Sequence, residues 1–232
     1  MTPGPYSYGI SKQEAQAMDK LVLYVGNKNY SSWSLRPWIA LGACGIPVED
    51  VVIPFDFAAG NPKIKEVSPT GRVPVLHHGN VRVWESLAII EYAAELFPDA
   101  GLWPNEPAER ALARSYAMEM LSGFRALRGA CPMNIRREKR GIPLQEGVQA
   151  DVDRIETIWR EAIAHSGGPF LFGAFSAVDA MFAPVVSRFE VYDLTRNPVS
   201  LEYMDAVKTH PAFRKWQEAA IAEPWIVPED EV

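Results

Sequence analysis

Three serines fall within four residues in "NKNYSSWSLRPW" (27–38), between an apolar run and a proline. Serine hydroxyls can cap a helix, or donate a hydrogen bond to a reactive anion held at its positive end. Pro37 lacks an N–H and fits a helix at little cost only near its start. With Ser34 as N-cap, Pro37 takes the third helical position, and Ser31 and Ser32 stand free in the preceding loop. Two other segments suit a peptide-like anion. In "SPTGRVPVL" (68–76), a cis bond at Pro74 would leave the Val73 N–H and C=O unpaired by the sheet, although trans is the usual state. In "WESLAI" (84–89), Glu85 and Ser86 sit at a strand-to-helix junction. Free N–H groups and a hydroxyl there suit a carboxylate, and Glu85 suits an ammonium group.

The elements that position these groups follow from the apolar pattern. "LVLYVG" (21–26) has the length of a buried strand. "LRPWIALGACG" predicts a helix with a glycine stop, and "VEDVVIPF" (48–55) a second strand. "VPVLHHGNVRVWES" reads as a hairpin about a Gly-Asn turn, and "ESLAIIEYAAELFP" as a helix closed by Pro98. Residues 20–97 thus form a small α/β domain with a mixed sheet, and the Pro-rich stretch 98–107 reads as a linker. Beyond it, residues 108–232 show almost no strand signal. Helical spacing runs through 108–130 and 145–165. "SAVDAMFAPVVSRF" opens with a Ser176–Asp179 capping box, and "HPAFRKWQEAA" carries Pro211 in its first turn. The second domain is therefore expected to be all-α.

Composition narrows the function. A chain of 232 residues with 48% apolar and 22% charged side chains is ordinary for a globular protein. Its charge of −6, without basic runs, disfavours nucleic acid. The densest basic stretch, "NIRREKRG" (134–141), reads as a solvated helix end or loop. No eighteen-residue apolar run exists to span a membrane. Cys44 and Cys131 lie far apart, which fits a reducing compartment, and Cys131 reads as an inert thiol. His77, His78, His165 and His210 have no metal-ligand spacing. Residues 1–19 are expected to form a flexible tail, with Met18 a possible natural start.

Order and spacing together say more than any single motif. The strand followed by "SSWS.R", the "SPTGRVPVL" loop and the "ESLAIIEYAAELFP" helix match one family, as do the linker, "SAVD" and the closing "HPAF.KW". On these pieces the chain resembles a cytosolic glutathione transferase across nearly all of 20–230. The likeness implies a thioredoxin-like first domain and a helical second one. The class signature is similar to the zeta-like serine type, S-S-C-S-x-R, with Trp33 in place of the cysteine. That cysteine belongs to the active-site motif of maleylacetoacetate isomerases, so its replacement counts against isomerase activity.

The resemblance implies glutathione as co-substrate, no metal, a homodimer and a cytoplasmic location. Ser32 is the first candidate for the thiolate hydrogen bond, with Ser31 close behind. Trp33 would wall the sulfur site or stack on the second substrate. Val73 would pair with the cysteinyl backbone, Glu85 and Ser86 would hold the γ-glutamyl end and Lys63 the glycyl carboxylate, with Arg72 and Pro74 also counted among the glutathione-binding residues. Tyr116, Met120, Phe124 and Arg128 are candidates for the electrophile pocket between the domains. The competing reading keeps this fold as a protein-binding scaffold without chemistry.

Overall fold

A computed structural model describes residues 20–232; the expected tail over 1–19 and Met18 lie outside these residues. The chain opens with β1 (Leu21–Val25), whose side chains alternate between core and a half-covered face. It continues through α1 (Ser32–Ala43), β2 (Glu49–Val52), α2 (Pro62–Val67), the hairpin β3 (Val75–His78) and β4 (Val81–Trp84), and α3 (Ser86–Leu96). The sheet order is β2-β1-β3-β4, with β1 parallel to β2 and antiparallel to β3. Leu23 and Leu76 pair across β1 and β3, and both are fully buried. Helices α1 and α3 pack together beside this sheet. Six-residue α2 carries one buried side chain, Ile64, which is why the apolar pattern did not announce it.

One part of the expected helical domain needs correction. The predicted helix over 108–130 is broken into α4 (Pro107–Ser122) and α5 (Arg125–Ala130). Gly123 sits where a Cβ would lie 2.7 Å from the Glu119 carbonyl oxygen, and Phe124 turns at φ 56°. Asp151 then accepts the Leu127 N–H and closes the new helix start. In the stretch before α4, Leu102 and Trp103 are buried, and the Leu102 carbonyl accepts the Ala177 N–H. The domain continues with α6 (Val148–Ser166), α7 (Ala177–Val191), α8 (Pro198–Thr209) and α9 (Pro211–Ala222). The expected capping box at Ser176 and Asp179 is present, and Pro211 lies in the first turn of α9.

The two domains share one core, with α1 packed against α7. Trp159 is fully buried at the centre of the helical part, in edge or tilted contact with Phe182, Phe189 and Tyr203. After α9 the chain leaves helical structure and runs back across the first domain, with a short 3₁₀ turn at Pro228–Asp230. Among the described residues, no helix is long and apolar enough to cross a membrane.

Candidate functional site

The serine segment differs from its expected arrangement. Ser31, not Ser34, is the N-cap of α1, and the helix begins at Ser32. The Asn27 carbonyl accepts the N–H groups of Tyr30 and Ser31, which winds the chain into the helix early. Ser34 lies within the first turn, where its Oγ accepts from the Gly26 N–H at 3.1 Å and from the Ser31 hydroxyl at 2.7 Å. The Ser31 proton is thus directed inward, in a buried position. The Ser32 hydroxyl has no hydrogen-bond partner among the described residues and is partly exposed at the positive end of a twelve-residue helix.

Pro37 consequently lies inside α1, at its sixth position. It cannot return an N–H to the Trp33 carbonyl, four residues back. The Ser86 hydroxyl donates to that carbonyl instead, at 2.7 Å. Ser86 therefore joins the starts of α1 and α3, and its hydroxyl hydrogen is not free for a ligand. Its backbone N–H, in the first turn of α3, keeps the usual unpaired orientation of a helix start. Glu85 precedes it, exposed, at φ 69° and ψ 129°. That region is sterically costly for any residue with a Cβ, and such strain gathers at ligand clamps.

The Val73–Pro74 bond is cis, and neither backbone group of Val73 has a hydrogen-bond partner among the described residues. Val73 faces Gly26 at the end of β1. A Cβ on Gly26 would lie 3.2 Å from Val73 Cγ2 and 2.5 Å from Phe55 Cζ, so only glycine allows both to close in. Phe55 also lines a cavity of about 290 Å³ with Asn61, Lys63 and Trp225. Phe55 thus links this cavity, with Lys63, to the Val73 side of the β1 end. Arg72 is exposed, and its backbone N–H is taken by the Ser68 Oγ at 3.3 Å.

The expected pocket residues divide. Met120 is fully buried in the core, and Tyr116 is buried beside Phe172, so neither opens onto a cleft. An apolar stripe on a bundle helix must bury one face, and these two belong to that face. Phe124 is buried at the α4–α5 corner. Arg128 alone reaches the serine segment, with its guanidinium 4.7 Å from the Trp33 ring. Arg36 lies 4.4 Å from the same ring. Trp33 is thus partly exposed and packed against two cations.

Neither cysteine supplies a nucleophile. Burial pushes both the Cys44 and Cys131 thiols up to about 11, so both are protonated at neutral pH. His77 bonds the Val67 carbonyl, and His78 the Tyr92 hydroxyl. Among the described residues, no three His, Cys, Asp or Glu side chains are grouped to hold a metal ion.

The comparisons with known proteins fit this geometry. Residues 30–96 match the family model for the glutathione S-transferase N-terminal domain, and residues 135–219 match the model for its C-terminal domain. The chain belongs to the glutathione S-transferase family. It is 28% identical to a probable maleylacetoacetate isomerase from Caenorhabditis elegans, covering 84% of this chain and 91% of that protein. It is also 28% identical to glutathione S-transferase L1 of Arabidopsis thaliana, covering 68% and 62% respectively. A crystal structure of a glutathione transferase homologue from Burkholderia gl BGR1, with bound glutathione, shares the fold at a TM-score of 0.67 and 23% identity. That alignment covers 87% of this chain and 98% of the other. The first domain of the chain is thioredoxin-like and the second all-helical.

The N-terminal model spans all three motif segments of the chain, Ser31–Trp33, Val73–Pro74 and Glu85–Ser86. The sequence did not disclose what holds them. Glu223 accepts the backbone N–H groups of Lys28 and Asn29, each at 2.8 Å. The Asn29 side chain, fully buried, pairs with Asn134 and with the Arg136 N–H. Arg136 also reaches the Tyr30 hydroxyl and the Glu223 and Trp225 carbonyls, and Tyr30 donates to Glu231. Arg137 holds the Val232 carbonyl and Trp216 the Lys28 carbonyl. The basic stretch read as solvated is therefore the tether of the C-terminal segment. The adjacent asparagines and arginines were its only trace in the sequence.

Proposed function

We propose that this transferase ionises the glutathione thiol at Ser32 for attack on a small electrophile. The observation that carries the proposal is the unpartnered Ser32 hydroxyl at the α1 start, beside a Ser31 hydroxyl already committed to Ser34. A free thiol has a pKa near 8.5, so lowering it by about two units needs about 2.7 kcal/mol of thiolate stabilisation. A helix end gives about 0.3–1 kcal/mol, and a hydrogen bond to a charged group about 1.5–3. Their sum is of the required size. Val73 would pair with the cysteinyl backbone, the α3 start and Glu85 with the γ-glutamyl group, and Lys63 with the glycyl carboxylate. Glutathione then brings the thiol that ionises, since both cysteines of the chain are held protonated at neutral pH.

Titration of the bound-thiolate ultraviolet absorbance tests this assignment. Ser32→Ala should raise the apparent thiol pKa by about one unit or more; an unchanged value there, with Ser31→Ala impaired, would transfer the role to Ser31. A glutathione-dependent isomerase is the second reading, favoured by the isomerase name of a relative aligned over 84% of this chain. Trp33 at the cysteine position stands against it. Aryl halides, peroxides and maleyl acids offered with glutathione separate transfer, reduction and isomerisation. A scaffold without chemistry would wash through immobilised glutathione, whereas the enzyme is retained and eluted by free glutathione. On this reading the protein works as a homodimer in the cytoplasm.

A further inference from the structure

The C-terminal segment carries an aromatic ring to the edge of the first domain and holds it there. Trp225 lines the cavity of about 290 Å³ together with Phe55, Asn61 and Lys63, and it remains 41% exposed. Its backbone is fixed on both sides. The Arg136 guanidinium donates to the Glu223 and Trp225 carbonyls, each at 2.6 Å, and Val227 is buried. Glu223 in turn accepts the Lys28 and Asn29 N–H groups. A tryptophan on a fixed backbone offers a large, rigid contact face and loses little conformational freedom when a ligand covers it.

The cavity adjoins the groups assigned above to the thiol peptide. A Cβ on Gly26 would meet both Phe55 and Val73, so the ring that lines the cavity lies beside the residue that pairs with the cysteinyl backbone. The residue after cysteine in glutathione is the glycyl one. Pockets for whole small ligands measure about 300–1,000 Å³, so this cavity suits one end of a tripeptide rather than all of it. Lys63 forms no ion pair among the described residues. Asp56 lines the same cavity, with its carboxylate accepting the Ala59 N–H at 3.0 Å. One cation and one anion leave little net attraction for a carboxylate, so contact with a ring has to add to what charge supplies. Asn27 accepts the Phe55 N–H at 2.8 Å, which ties Phe55 to the loop that Glu223 anchors.

We propose that Trp225 is a specificity-determining residue: its indole covers the glycyl unit of the thiol peptide, so the C-terminal segment is a wall of the site as well as an anchor of the serine loop. The inference rests on the transferase reading above. Lys63 takes the glycyl carboxylate, and the indole lies against the unit that carries it. A thiol peptide that lacks this unit leaves the ring in water, and the site therefore prefers the tripeptide to its own fragment γ-glutamylcysteine. Arg136 donates to the Tyr30 hydroxyl and to the Trp225 carbonyl, so one side chain steadies both the thiol end and the glycyl end.

The test is isothermal titration calorimetry of the full chain with glutathione and with γ-glutamylcysteine, in the wild type, Trp225→Ala, Trp225→Phe and Ile226→Ala. The wild type should bind glutathione more tightly than the dipeptide. Trp225→Ala should weaken glutathione about fivefold to tenfold and leave γ-glutamylcysteine unchanged, and Trp225→Phe should recover most of the loss. Ile226, the next residue, is 68% exposed and outside the cavity lining, and its replacement should alter neither affinity. Equal losses for both peptides in Trp225→Ala would mark a general loosening of the segment and overturn the proposal. An unchanged glutathione affinity in that variant, an equal glutathione loss in Ile226→Ala, or a wild type that binds both peptides alike would overturn it too. A wild type that binds neither peptide overturns the transferase reading itself, a result distinct from each of these.

Discussion

Replacing Glu223 by Ala should unlock the loop that leads into the serines, and the size of the effect can be worked from its two bonds. The carboxylate accepts the Lys28 and Asn29 N–H groups, and both residues are buried. Truncation leaves two buried donors unpartnered, at about 1–3 kcal/mol each, so about 4 kcal/mol in all. For a chain of this length that lowers the melting temperature by about 8–16 °C. Glu223→Gln keeps one acceptor oxygen but turns an NH₂ toward the other donor, and should cost about half as much. Burial raises the Glu223 pKa from 4.5. The protonation-linked part of the stability is therefore fully present below the unfolded value and is lost as pH rises through the folded one, while the two bonds to the carboxylate remain. Urea unfolding from pH 4 to 8 should show this decline in the wild type and less of it in Glu223→Gln. In the same variants the glutathione thiol pKa should rise as the loop loosens. A Glu223→Ala protein within about 0.5 kcal/mol of wild type would refute the reasoning, because a surface substitution costs no more than that.

Two more outcomes follow from named contacts. Burial raises Asp179 from 3.8 to about 6, so its protonated form adds stability below the lower value and loses it as pH rises through about 6. Asp179→Asn, which does not titrate, should be most destabilised relative to wild type near pH 4.5 and less so at pH 8, read from urea midpoints at each pH. Ser86→Ala removes the donor to the Trp33 carbonyl and should cost about 1 kcal/mol. The loss should shrink in a Pro37→Ala background, where residue 37 regains an N–H for that carbonyl; additive losses in the cycle would show that the bond does not matter.

What the sequence disclosed was local. A period-two hairpin, helical stripes and a capping box each lie within some twenty residues; the hairpin and the Ser176–Asp179 box appear where expected, and the stripe over 108–130 is split at Gly123. The order of the serine, Val-Pro and Glu-Ser segments sufficed for the family. The N-cap assignment failed because Gly26 and Asn27, not the serines, set where α1 begins. The pocket assignment failed at Tyr116 and Met120 because helical spacing marks a buried face without saying whether core or cleft covers it. Trp225 was visible as a residue but not as a neighbour of Lys63, since the cavity they share forms only where the C-terminal segment runs back across the first domain. The Glu223 contact joins residues 195 apart, beyond any periodicity.

The same contact has a consequence for how the molecule comes into being. A chain emerging from the ribosome can pair β1 with β2 and β3 once its first eighty residues are free, because those contacts lie within them. The loop before Ser31 must wait for Arg136, Trp216 and Glu223, which pair with it across 106, 188 and 195 residues of chain. A chain cut after α9, at Ala222, would lose the Glu223 and Glu231 contacts of this loop and retain those of Arg136 and Trp216. The sheet can therefore be complete while the serine loop is still loose, and a protein that is folded by its spectrum need not yet be one that can hold a thiolate.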